Sequence, residues 1–245
     1  MNWADSFYLK IRRAETPFYA RLKRAASTFL RVGLPAPKAL RPIFGFLVLT
    51  RAFIYKSARI LLVITFRSPA FRSRCHSVGE GLYLEQLPSI SGPVRITVGS
   101  NVTISGRFGV ASGRVIDEPE LIIGDRVFIG HDVRILVSRR IVIEEGAAIA
   151  GDCFLADNDG HPADILSRIR RENIPFEETQ PIHIGRYAWI GRGCYIMKGV
   201  TIGEGAVVGI GSVVLTDVPP FSVAIGNPAR VVRKIPPVSL DNLHP

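Results

Sequence analysis

A branched aliphatic residue returns at every sixth position along much of this chain, and that period constrains the fold more than any other feature. The longest run is Ile184, Ile190, Ile196, Ile202, Val208 and Val214; earlier runs are Val98, Ile104, Val110 and Ile116, then Ile123, Ile129 and Ile135, then Ile143, Ile149 and Leu155. Each hexad reads as one short strand and one corner of a solenoid, with the aliphatic side chain pointing into the tube. Stacking the coils buries what a single coil cannot bury alone. Glycine often follows the aliphatic residue (Gly99, Gly124, Gly130, Gly185, Gly191, Gly203, Gly209), where it is expected to relieve corner conformations that a Cβ would strain. A small or β-branched residue often stands four positions on. Cys153 and Cys194 occupy such interior positions and read as small core fillers.

The period predicts an all-β, parallel β-helix over residues 76–235, preceded by a helical segment 1–75 and followed by a tail 236–245. The 245 residues, 47% of them apolar, suffice for one sizeable core plus an appended segment. Three cysteines, Cys75, Cys153 and Cys194, are odd in number and widely spaced, so structural disulfides are not expected and a reducing compartment fits. The opening Met1-Asn2-Trp3-Ala4-Asp5 lacks a basic stretch followed by an apolar one, which sets the expectation of a cytoplasmic protein.

The net charge of +10 is unevenly placed: residues 1–75 carry +13 and the remainder −3. Thr16-Pro17 resembles an N-cap and first helical position, after which Phe18, Leu22, Ala25 and Phe29 recur at helical spacing, until Gly33-Leu34-Pro35-Ala36-Pro37 stops the helix. A second helix is predicted from Pro42 to Phe66. It is long enough to suggest a membrane span, but Arg51, Lys56 and Arg59 argue against one, since a cation at the bilayer centre costs about 2.5–3.5 kcal/mol. The three fall within about 140° of one another on the helix surface. One charged face beside a broad apolar face suits peripheral contact with the inner face of a membrane; the alternative is packing on the β-helix or on a neighbouring subunit. A helix this apolar is poorly suited to tracking phosphates, so nucleic acid is not an expected partner.

Between Leu155 and Ile184 the register is lost, which predicts an inserted loop over residues 156–183. The loop opens Ala156-Asp157-Asn158-Asp159-Gly160-His161-Pro162. Inserted loops on solenoids are where binding tends to sit. His161 is the candidate general base, and Asp157 and Asp159 are candidates for orienting its imidazole.

Five stretches carry a family resemblance: Asp159-Gly160-His161-Pro162, Ala188-Trp189-Ile190-Gly191, Gly199-Val200-Thr201-Ile202-Gly203, Gly209-Ile210-Gly211-Ser212-Val213-Val214, and Gly226-Asn227-Pro228-Ala229-Arg230-Val231-Val232-Arg233. Over residues 75–235 the chain resembles the left-handed β-helix hexapeptide acyltransferases, in the branch that includes maltose and galactoside O-acetyltransferases and capsule or exopolysaccharide acetyltransferases. The left hand is implied by the resemblance alone, since parallel crossovers are otherwise right-handed. It also implies an acetyl-CoA-dependent O-acetyltransferase of saccharide hydroxyls, a homotrimer with the coenzyme between subunits, and direct transfer with His161 as base. Trp189 would lie along the pantetheine arm, backbone near Arg192, Ile210 and Gly211 would hold it, and Arg230 and Arg233 would contact its phosphorylated end. Asp117-Glu118 stands where sugar acetyltransferases carry an Asp-Asp pair, while Gly109-Val110-Ala111 replaces an acceptor-binding asparagine and Leu215-Thr216 a Thr-Lys pair. The acceptor is therefore expected to differ.

Two other classes share this pattern. A γ-type carbonic anhydrase needs three histidines converging on zinc, two of them five residues apart, whereas His131, His161 and His183 are spaced 30 and 22 apart. No metal is expected. A non-catalytic hexapeptide-repeat scaffold remains the alternative, and the Trp-Ile-Gly and Asn-Pro-Ala-Arg motifs speak against it.

Overall fold

The aliphatic residues of the six-residue period line the inside of a left-handed parallel β-helix: Ile104, Ile129, Ile149, Ile184, Ile190, Ile196 and Ile202 are all fully buried. The computed structural model describes residues 3–31 and 37–237. The expected helix stop at residues 33–36 and residues 238–245 of the tail lie outside the described residues.

Three sheets form the walls. The first face stacks Ser77–Val78, Arg95–Val98, Glu120–Ile123, Arg140–Ile143, Ile182–Ile184 and Thr201–Ile202. The second stacks Tyr83–Leu84, Thr103–Ile104, Phe128–Ile129, Ala148–Ile149, Trp189–Ile190 and Val207–Val208, then Ser222–Gly226, and ends on the antiparallel strand Ala229–Lys234. The third stacks Ser89–Ser91, Phe108–Ser112, Val133–Val137, Phe154–Ala156, Tyr195–Ile196 and Val213–Val214. Parallel register keeps like positions aligned, as in Ile104 with Ile129, Ile129 with Ile149, and Ile149 with Ile190. Cys153 and Cys194 are fully buried inside, and their thiols donate to the Gly191 and Gly209 carbonyls at 3.1 Å.

Two expectations need correction. The glycines after the aliphatic residues do not take the left-handed conformation; that falls two residues later, on Asn101, Arg126, Asp132, Tyr187 and Gly193 among others. Those glycines are required by close stacking, because a Cβ on Gly124 would come 2.7 Å from the Glu145 nitrogen and one on Gly191 2.7 Å from the Ile210 nitrogen. Ile116 is the other correction. It belongs to no strand: the chain leaves the third face after Ser112 and rejoins the first at Glu120, so residues 113–119 form a first small excursion.

The second, larger excursion leaves after Asp157, whose carbonyl accepts from the returning Gln180 nitrogen at 3.0 Å. Both excursions therefore project from the corner between the third and first faces. The intervening coil crosses that corner in a tight turn, Ser138-Arg139.

Ahead of the coils come α1 (Trp3–Arg13), which the sequence did not suggest, α2 (Pro17–Arg31) and α3 (Arg41–Leu62). The predicted second helix begins one residue early, passes through a π-helical turn at Val63–Arg67 and ends as α4 (Ser68–Arg72). The chain divides into two compact units, Met1–Ser57 and Ala58–Pro245. Residues 58–75 group with the coils for visible reasons. Arg59 pairs with Glu85 at 3.0 Å and donates to the Tyr83 hydroxyl, Arg72 donates to the Val78 and Gly79 carbonyls, and Phe71 is buried in the β-helix core. Arg59 is thus engaged with the first coil and does not share a free cationic face with Arg51 and Lys56. Among the described residues no helix is long and apolar enough to cross a membrane.

Candidate active site

His161 stands near the start of the large excursion, exposed, with no hydrogen bond to any described residue. It lines a cavity of about 390 Å³ together with Gly113, Gly160, Arg168, Arg171, Glu172, Asn173 and Ile174. Gly113 comes from the small excursion, so the shared corner is what brings the two breaks of the period to one cavity. Gly160 precedes the histidine with φ +82°, a conformation glycine adopts without strain, and its nitrogen donates to Asn158 Oδ1 at 2.7 Å.

The loop's own contacts hold this shape. Helix α5 (Ile165–Arg170) is capped by Asp164, which accepts from the Ser167 nitrogen at 2.7 Å. That bond holds the Asp164 carboxyl below the usual carboxylate range. Arg168 folds back to donate to the Pro162 and Ala163 carbonyls at 3.0 and 2.6 Å, beside His161. Arg139 lies over the Phe176 ring at 4.7 Å.

The two aspartates expected to orient His161 are occupied elsewhere. Asp157 is fully buried and accepts from the backbone nitrogens of Ser138, Arg139 and Arg140 at 2.6, 2.7 and 2.9 Å, and from Asn158 Nδ2 at 3.2 Å. Its four acceptor positions are filled, which makes it the clamp of the tight turn below the loop. Asp159 pairs with Lys198, whose Nζ also donates to the Glu178 carbonyl at 3.1 Å. Lys198 therefore ties both ends of the excursion together. Sequence reasoning missed it because 39 residues separate the pair and only the stacking of coils brings them together. Asp117 and Glu118 sit exposed on the small excursion at the same corner without lining the cavity, and Glu118 lies 3.8 Å from Arg95.

The expected coenzyme residues form a separate group. Trp189 points outward from the second face, 55% exposed, in register with Val207, which aligns with Val223 and then Arg233. Arg230 lies in the same terminal hairpin. Arg192 and Ile210-Gly211 make successive turns at the corner between the second and third faces; the Gly211 nitrogen donates to the Arg192 carbonyl at 2.8 Å and the Arg192 side chain pairs with Asp152 at 2.7 Å. Ile210 is 77% exposed. One whole edge of the coil, about six residues or roughly 20 Å of strand, separates this corner from that of His161. A larger cavity of about 570 Å³ lies along the third face between them, lined by Arg107, Asp132, Arg134, Asp152 and Tyr195. Arg107 and Asp132 pair there at 2.6 Å, Asp152 pairs with Arg192, Arg134 lies over the Phe154 ring at 5.6 Å, and the lining holds no histidine.

Among the described residues the other histidines do not converge with His161. His183 bonds Glu144 at 2.9 Å on the first face, His131 lies 3.8 Å from Glu85 at the corner between the second and third faces, and His76 contacts Arg95 at 2.8 Å. Among the described residues no three potential metal ligands cluster.

Residues 181–216 match the bacterial transferase hexapeptide family (six repeats). A Saccharomyces cerevisiae protein named as a candidate acetyltransferase, YJL218W, is 38% identical over 113 residues, covering 46% of this chain and 55% of that one. A Mycobacterium tuberculosis protein named in the same way, Rv3034c, is 30% identical over 156 residues, 64% of this chain and 49% of the other. The chain thus spans about half the length of the curated relatives it matches. Among solved structures, a single-residue variant of AntD, an N-acyltransferase from Bacillus cereus in complex with dTDP and coenzyme A, superposes with a TM-score of 0.55 at 20% identity, over 69% of this chain and 88% of that one. That likeness concerns the fold.

Proposed function

Because residues 181–216 match hexapeptide repeats of the bacterial transferase type, we propose that this chain transfers an acetyl group from acetyl-CoA to a hydroxyl of a saccharide, with His161 as general base. The observation that carries the reading is the placement of His161: exposed, unengaged, and set in a cavity where two breaks in the period meet. The acceptor hydroxyl gives its proton to the imidazole as its oxygen bonds to the thioester carbonyl carbon. The carbon–sulfur bond then breaks, and the proton passes on to the departing thiolate. Trp189, the turns at Arg192 and Ile210-Gly211, and Arg230 and Arg233 hold the coenzyme. The testing experiment is an acetyl-CoA consumption screen against nucleotide sugars and lipid-linked saccharides, with and without membranes. Consumption without an acceptor-dependent product would refute transfer.

The separation of the two corners supports a trimer. Within one chain an edge of roughly 20 Å lies between His161 and the Arg192 corner, so the reaction requires the histidine of one copy to face the coenzyme strip of another. Cyclic closure satisfies three such sites at once. Light scattering should return about three chain masses, and a monomer that still transfers acetyl would refute the arrangement.

The apolar face of α3 supports contact with an anionic membrane surface. Phe46, Leu49, Phe53 and Ile54 are exposed there beside Arg51 and Lys56. Each such cation near an anionic surface is worth about 1 kcal/mol. Reversing Arg51 and Lys56 to glutamate should weaken binding to phosphatidylserine vesicles at least about 30-fold, measured by co-sedimentation at low salt. Wild-type protein remaining in the supernatant would end this reading.

A further inference from the structure

The cavity beside His161 is cationic in a way that a neutral sugar does not require. Arg168 and Arg171 both line it. Arg168 spends one terminal nitrogen on the carbonyls of Pro162 and Ala163, which fixes the guanidinium next to His161 and leaves its other N–H donors for the cavity. Arg171 follows the last residue of α5 with φ +58°, and no described residue takes its guanidinium. Glu172, the acidic residue of the lining, lies 3.7 Å from Arg170, which is outside the lining. Asn173 adds a neutral donor and acceptor. The wall thus offers two planar cationic forks against one carboxylate that has its own partner.

From this we infer that the acceptor is an anionic saccharide, bearing a phosphate or carboxylate within about one sugar ring of the hydroxyl that is acetylated. The inference rests on the proposed transfer to a saccharide hydroxyl. A guanidinium fork matches both anions in geometry, and such charge-assisted bonds are roughly twice as strong as neutral ones. Arg171 is the selecting residue: it is exposed, unengaged, and ten positions from the base. Arg168 serves the loop as well as the ligand.

The test reads binding rather than turnover, so that its failure is separate from failure of the acetyl-transfer reading. The His161 imidazole resonances of the full chain are followed by NMR while glucose, glucose 1-phosphate, glucuronate or inorganic phosphate is added. Glucose 1-phosphate, glucuronate or both should perturb His161 at a concentration at least about tenfold lower than glucose. The two anionic sugars report which anion is preferred, and inorganic phosphate reports whether the anion alone suffices. Arg171→Asn suits the left-handed position, removes the charge, and should abolish the tenfold preference without lowering the melting temperature. Equal response to glucose and to both anionic sugars, no response to any probe, or an unchanged preference in Arg171→Asn would overturn the inference. A protein that shows the preference yet never consumes acetyl-CoA would instead overturn the proposed reaction.

Discussion

Replacing His161 by alanine should lower turnover with acetyl-CoA and a working acceptor by about 10²–10⁴-fold, while acetyl-CoA binding stays near the wild-type value. The magnitude follows from what a positioned base contributes to proton transfer. The split follows from geometry, since His161 occupies the corner between the third and first faces, whereas the proposed coenzyme residues lie along the second face and at its corner with the third. Folding should be unaffected, because the imidazole is exposed and has no hydrogen bond to lose. The measurement is steady-state turnover alongside calorimetric titration with acetyl-CoA. Retention of more than half the activity would remove His161 from the mechanism, and a parallel loss of acetyl-CoA affinity would move it into the coenzyme site.

The fold was legible because burial in a solenoid is local. A side chain six residues from its neighbour faces the same interior, so Ile184 to Val214 announce their own positions without long-range information. The break at His161 was legible for the same reason. What depended on neighbouring coils was not. The glycines at 124 and 191 read as conformational, whereas the cause is backbone one coil away. Ile116 keeps the period by coincidence inside an excursion, and the partners of Lys198 and Arg59 are set by stacking across 39 and 26 residues. The smaller break at residues 113–119, hidden by Ile116, is also what carries Gly113 to the His161 cavity. The candidate site was therefore half readable: its candidate base from one loop, its walls only from the meeting of two.

Asp157 offers the sharpest contrast between the two readings. An aspartate four residues before a catalytic histidine suggests an orienting carboxylate, and in a serine-hydrolase triad changing such a group to asparagine costs about 10⁴-fold in turnover. In this structure both oxygens of Asp157 are held by the nitrogens of Ser138, Arg139, Arg140 and the Asn158 amide. The expected loss is therefore one of stability. Asp157→Ala strands three backbone donors at a turn where Ser138 is fully buried, and unsatisfied buried donors cost about 1–3 kcal/mol each, for a total near 3–5 kcal/mol once the more exposed pair is discounted. For a unit of this size that lowers the melting temperature by roughly 10 °C. Asp157→Asn should fall between alanine and wild type, because its amide turns a donor toward the backbone donors. Well below the melting point, Asp157→Asn should keep turnover within about tenfold of wild type. A loss of 10³-fold or more with an unchanged melting temperature would restore Asp157 to the catalytic machinery and sink its assignment as the clamp of the turn.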